Sequence, residues 1–238
     1  MAENQALTEN RALTRANLKT PRAAAVAGIA FSVLLTVAFF LLRITVPVDP
    51  REPGAWLRTN SETVAVALNL VPFAGIAFLW FIGVMRDRLG PFEDRFFATV
   101  FLGSGLLFLG MLFTAAAIVG AMLIAFAAEP GELINSATFR LARATAYSIL
   151  NIYMIKMAGV FMISSSTVAI YTGFAPRWTA ILGYALSLLL LFGSYYVSWS
   201  FFVFPFWVLL ISICILIDNI HLPSLPGAER QISMKRTS

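Results

Sequence analysis

Two uninterrupted apolar runs, 63–85 and 96–128, separated by a single charged turn from Arg86 to Arg95, most restrict the folds open to this chain. A helix rises about 1.5 Å per residue and the hydrocarbon core of a bilayer is about 30 Å thick, so roughly 20 apolar residues cross it. Both runs exceed that length and neither holds a charged side chain. The rest of the chain repeats the plan. Of 238 residues, 59% are hydrophobic and 12% charged, against about 25% charged in an ordinary soluble domain. The mean hydropathy is +0.82. So much apolar surface requires lipid as its solvent and excludes a water-soluble globule.

The sequence therefore predicts an all-α fold, a polytopic transmembrane helix bundle of six spans at about 23–42, 63–85, 96–128, 146–171, 178–197 and 201–217. A polar segment, 1–22, precedes this domain (23–217), and a tail, 218–238, follows it with no periodic apolar face and is expected to be disordered. Arg11, Arg15, Lys19 and Arg22 give the leading segment the basic front of a signal sequence. The apolar run behind it is too long for a signal-peptide core and ends at Arg43 without a small-x-small cleavage site, so it reads as an uncleaved first span. Arg11, Arg15 and Lys19 recur at helical spacing, which leaves a surface helix on an anionic leaflet and a disordered segment both open.

Local signals mark the helix ends and bends. Pro47, Pro50 and Pro53 with mixed charge suit an external connection. Pro72 removes a backbone donor in the second span, one turn after Asn69, and predicts a kink there. The third span is longer than the hydrocarbon thickness and must tilt, protrude or break. Gly103, Gly105, Gly110 and the pair Ala116-x-x-x-Gly120 give it a small-residue face for packing, for self-association or for a membrane-protein partner. Asn135 or Ser136 is the expected N-cap of a fourth helix running from Ala137 to Tyr171. Pro176 is expected to open the fifth, and Tyr195, Tyr196 and Trp199 to lie at the aromatic belt.

Six spans put both termini on one side, and basic residues decide which. With the N-terminus inside, the inner segments hold eleven: Arg11, Arg15, Lys19, Arg22, Arg86, Arg88, Arg95, Arg177, Arg230, Lys235 and Arg236. The outer segments hold five: Arg43, Arg51, Arg58, Arg140 and Arg143. With Lys156 inside a span, these account for all 17, and the bias places both termini in the cytoplasm of a multi-pass plasma-membrane protein. The same topology explains the net charge of +5, so a nucleic-acid partner is not implied.

Few residues offer chemistry. Cys214 and His221 are each the sole member of their type, which rules out a disulfide framework and a multi-cysteine metal centre within one chain. No cofactor, no metal and no catalytic residue is expected. Lys156 is the exception that draws attention, because an ionisable group inside a span costs at least about 2.5–3.5 kcal/mol and marks a functional hypothesis. No carboxylate lies within a span to pair with it. Its amine can be neutral, can bond to hydroxyls or carbonyls, or can snorkel outward. On an α-helix Tyr153 and Gly159 lie one turn either side of it, while Asn151 points away. A ligand site is expected in a cavity that Lys156 and Tyr153 share with Asn69 and Ser104. The run Ser164-Ser165-Ser166-Thr167 reads as helix packing, its hydroxyls bonding preceding carbonyls or neighbouring helices.

The turn between the second and third spans, Gly83-Val84-Met85-Arg86-Asp87-Arg88-Leu89-Gly90, reads G-x-x-x-D-R-x-G. It resembles the cytoplasmic loop signature of major facilitator transporters, a resemblance that implies close helix approach at Gly83 and Gly90 and a charge latch from Asp87, which Arg88 follows in the loop, to a neighbouring helix end. The basic residues expected after Gly90 are replaced by Pro91, Phe92, Glu93 and Asp94, and a topogenic turn accounts for the same pattern. Ala67 to Arg88, Asp94 to Thr99 and Gly173 to Trp178 resemble a group of bacterial six-span integral membrane proteins with no established activity. Two functions stay open: a non-enzymatic bundle that binds a partner helix, lipid or small ligand near Lys156, and a small solute transporter formed by a homodimer of six-span halves.

Overall fold

The computed structural model describes the backbone of residues 2–47, 49, 51–52, 54–89, 95–129, 131, 134, 136–172, 175–194, 197 and 199–221. Every regular element among them is helical. In chain order these are α1 (Ala2–Thr45), α2 (Trp56–Leu89), α3 (Arg95–Ala128), α4 (Ala137–Ser148), α5 (Ile155–Thr172), α6 (Arg177–Leu188) and α7 (Val203–His221). A π turn, Ile149–Met154, joins α4 to α5 as one rod. A second, Leu189–Gly193, extends α6, and a 3₁₀ turn, Ser200–Phe202, leads into α7.

Five stretches are long and apolar enough to cross a membrane: Ala23–Thr45, Trp56–Arg86, Phe96–Ala128, Ala137–Tyr171 and Ser200–Ile217. The sixth rod, Arg177–Gly193, is apolar but shorter. Some boundaries differ from those read in the sequence. The polar leader is helical backbone from Ala2 and continues unbroken into the first apolar run, and α7 stays helical as far as His221. The expected tail from 222 onward, Gly90, Asn135, Gly173, Phe174, Tyr195 and Tyr196 lie outside the described residues. Ser136 caps α4, its hydroxyl accepting from Phe139 N at 3.0 Å, which satisfies one of the four amides a helix start leaves unpaired.

Helix α1 packs along α2 and α7, while α3 lies against α2, α4 and α5. Helix α5 pairs with α3 on one side and α6 on the other, and also reaches α2 and α7. At the point where these faces meet, Phe31, Phe78, Phe108, Phe161 and Phe204 form a buried cluster. Ring centroids are 4.5 Å apart for Phe31 and Phe78 and 4.5 Å for Phe108 and Phe204, with Phe101 tilted against Phe161 at 4.6 Å. In lipid, helices associate through packing rather than water exclusion. Aromatic pairs worth about 0.5–1.5 kcal/mol each are therefore a principal source of cohesion here.

Small residues set how closely the rods approach. A Cβ on Gly105 would lie 2.7 Å from Ile82 Cδ1 and 3.1 Å from the Phe161 ring, so this glycine of the α3 face is used inside the bundle. Gly103 and Gly110 meet nothing within 4 Å and look outward. Gly83 also has nothing within 4 Å, so the close helix approach implied there by the transporter-like turn is not made among the described residues. The hydroxyl run packs as the sequence suggested. Ser164, Ser166 and Thr167 donate to carbonyls four residues back, and Ser165 donates to Met162 O. Thr167 also bonds Tyr184 of α6 at 2.8 Å, and Ser165 Oγ accepts the Trp207 indole N–H at 3.3 Å.

Candidate functional site

A cleft of about 510 Å³ opens at one end of the bundle, where α1, α3 and α6 finish and α2, α4 and α7 begin. Its apolar wall includes Phe39, Leu42, Trp56, Met122, Leu150, Met154 and Phe201, and its polar wall Arg43, Arg143, Tyr147, Asn151, Lys156, Ser194 and Ser200. Three of these side chains are basic, and none of the described lining residues is Asp or Glu. A volume in the range of about 300–1,000 Å³ with a mostly apolar wall and a few polar groups is what small-molecule sites share.

The two π turns shape this cleft. In the first, Leu150, Asn151, Ile152 and Met154 form part of the wall. A π turn absorbs one residue more per turn than an α-helix. On an α-helix Asn151 would be rotated about 140° from Lys156, five residues on; the wider turn from Ile149 to Met154 reduces that rotation. The sequence expectation that Asn151 points away from Lys156 is thereby corrected, since both line the same cleft. Asn151 Nδ2 donates to Tyr147 O at 2.9 Å, which leaves its carbonyl oxygen as an acceptor.

The second π turn receives Lys156, whose Nζ donates to Leu191 O at 2.5 Å. The last four carbonyls of a helix lack intrahelical donors and carry the negative end of the macrodipole, a natural seat for a cation. Lys156 thus finds a carbonyl in place of the carboxylate that the spans do not provide. An ammonium has three N–H donors, and Leu191 O engages one.

Arg143 is anchored differently. Its guanidinium is buried and donates to the carbonyls of Glu52, Pro47 (3.1 Å) and Asp49 (2.8 Å). These fix the connection between α1 and α2 over the cleft, a task suited to a planar fork with five donors. Arg43 lies over the Trp199 ring at 5.3 Å, which ties the end of α1 to the turn before α7 through a cation–π contact. Trp56, itself 5% exposed, carries a buried indole N–H without an acceptor. It is the only such side-chain atom among the described residues.

Of the residues grouped from sequence, Lys156 alone lines this cleft. Tyr153 is exposed on the outside of the rod. Asn69 is exposed and bonds Ala65 O at 2.9 Å, and Ser104 is buried and bonds Phe101 O at 3.1 Å. Neither lines the cleft. Arg86 in the charged turn is exposed; the side chains of Asp87 and Arg88 lie outside the described residues. Sequence reasoning missed Arg43, Trp56, Arg143, Tyr147 and Asn151 as wall residues. The available signal was Arg143, 13 residues before Lys156 at the start of the same apolar rod. Among the described residues no group of three or more His, Cys, Asp or Glu could hold a metal ion.

The fold and cleft define an all-helical bundle with five apolar helices of membrane length and a basic cleft at one end. Comparison of the chain with known protein families, with characterised proteins and with solved structures finds no match.

Proposed function

We propose that this chain is a multi-pass protein of the plasma membrane that binds a small amphipathic ligand in the cleft beside Lys156 and performs no chemistry on it. In this reading Arg177–Gly193 is a sixth, short span and both termini are cytoplasmic, which puts the cleft on the outer side. The observation that carries the proposal is the cleft itself, about 510 Å³ of mostly apolar wall with Lys156 bonded to a helix-end carbonyl at 2.5 Å. Burying an ammonium in lipid only to cap one carbonyl is costly, whereas a cation beside a ligand-sized cleft has a use.

Native mass spectrometry of the full chain, purified in neutral detergent and offered a membrane-lipid extract, tests this. A one-to-one adduct is expected on the natural chain. Val197→Trp places a large ring in the cleft from a half-exposed turn position and is expected to abolish the adduct without lowering the thermal midpoint. An adduct of equal abundance on both proteins would place binding elsewhere on the surface.

A further inference from the structure

We infer that the ligand is an acidic single-chain amphiphile, its carboxylate or phosphate monoester paired with Lys156 and its chain laid along the apolar wall. The inference rests on the reading of the cleft as a binding site and specifies the chemistry it selects. Charge sets the sign: Arg43, Arg143 and Lys156 line the cleft, and none of the described lining residues carries a carboxylate. Arg143 spends three of its donors on the carbonyls of Pro47, Asp49 and Glu52, and the Glu52 and Asp49 carboxylates offset its charge, so the pairing with an acid falls to Lys156. Among the described residues Lys156 has one acceptor, Leu191 O, of the three its N–H donors can take.

The Trp56 indole is a second and independent pointer. A buried donor without a partner costs free energy comparable to a lost hydrogen bond; Trp56 lines this same cleft, and because its Nε1 is itself closed to solvent the ring must turn for the N–H to meet a ligand oxygen. A ligand bearing acceptor oxygens would relieve that cost, and an ammonium amphiphile would add to it. In a low-dielectric site an anion also neutralises basic groups that water reaches poorly. The volume of about 510 Å³ suits one chain and a compact headgroup, within the usual range for drug-sized ligands.

The test measures binding of radiolabelled dodecanoate to the full chain in neutral maltoside micelles by scintillation proximity, in competition with dodecyl phosphate, dodecanol and dodecyltrimethylammonium. Saturable binding of one dodecanoate per chain is expected, and dodecanol or the ammonium should compete only at concentrations about tenfold higher or more, the value of a charge-assisted hydrogen bond. Dodecyl phosphate that competes better than unlabelled dodecanoate identifies the phosphate as the preferred acid, and the reverse order the carboxylate. Lys156→Met should weaken dodecanoate at least about tenfold and leave dodecanol unchanged, while Lys156→Arg keeps most of the affinity. Trp56→Phe should weaken either acid a few-fold, and it provides a readout should Lys156→Met fail to fold. Equal competition by acid and alcohol, or unchanged dodecanoate affinity in Lys156→Met, overturns the acid inference and leaves the cleft as an apolar site. Saturable binding by none of the four compounds overturns both.

Discussion

At Gly183 a single methyl group separates tolerance from clash. A Cβ there would overlap Ser166 Oγ and come within 2.5 Å of the Trp207 ring, a side chain that is fully buried and held by Ser165. The indole cannot move aside without losing that bond, so Gly183→Ala should destabilise the bundle by about 1–3 kcal/mol, the usual cost of overpacking. Gly110→Ala should do the opposite. Its Cβ meets nothing within 4 Å, and alanine is favoured over glycine in a helix interior by about 1 kcal/mol. Thermal unfolding of the two variants in one detergent should move the midpoint in opposite directions. In the sequence Gly110 is the expected packing residue and Gly183 draws no expectation, the reverse of their places in the bundle. The difference lies in which neighbour stands opposite, and that depends on tertiary placement that helical spacing does not contain.

Among the elements, the π turn Ile149–Met154 decides what faces the cleft. It amounts to an α-helix with one inserted residue, so deleting Asn151, a partly exposed residue of the cleft wall, should leave α4 and α5 on their present faces while restoring α-helical geometry. The expected result is a folded protein with an unchanged or higher thermal midpoint that has lost at least about tenfold in affinity for dodecanoate, because the wall is rebuilt without Asn151 beside Lys156. A collapse in stability with unaltered binding per folded molecule would make the turn a packing feature instead. Helix existence was legible because uncharged runs such as 96–128 have few alternatives, and Ser136 announced its helix start correctly. The site was legible only at Lys156. An α-helical projection takes no account of the extra residue in the π turn that holds both Asn151 and Tyr153, and the actual path leaves Asn151 on the cleft and Tyr153 outside it. Arg143 was read as a topogenic charge outside the lipid, yet it is buried on three carbonyls of the α1–α2 connection. That role needs partners some 91–96 residues away in sequence.

For the whole molecule, the topology turns on the rod Arg177–Gly193. At about 1.5 Å per residue its 17 residues reach about 25 Å, short of the roughly 30 Å hydrocarbon core. Modest thinning of the bilayer covers such a mismatch at fractions of a kcal/mol per Å, and packing of α6 against α5 holds the rod within the bundle. Gly159 faces Ser187 O, 3.3 Å from where a Cβ would sit, a close approach that a surface-lying helix would not need. Crossing is therefore expected, with the cleft outside and both ends inside. In a Cys214→Ser background, Ala55→Cys should react with an impermeant maleimide on intact cells, because Ala55 is exposed in the α1–α2 connection, and Ser238→Cys should react only after permeabilisation. Labelling of both on intact cells would mean an odd number of crossings, with Arg177–Gly193 the segment that fails to span. Labelling of Ser238→Cys alone would invert the bundle and turn the basic cleft toward the cytoplasm. The eleven-to-five distribution of basic residues argues against inversion, since the segments that retain Lys and Arg are those kept on the inner side.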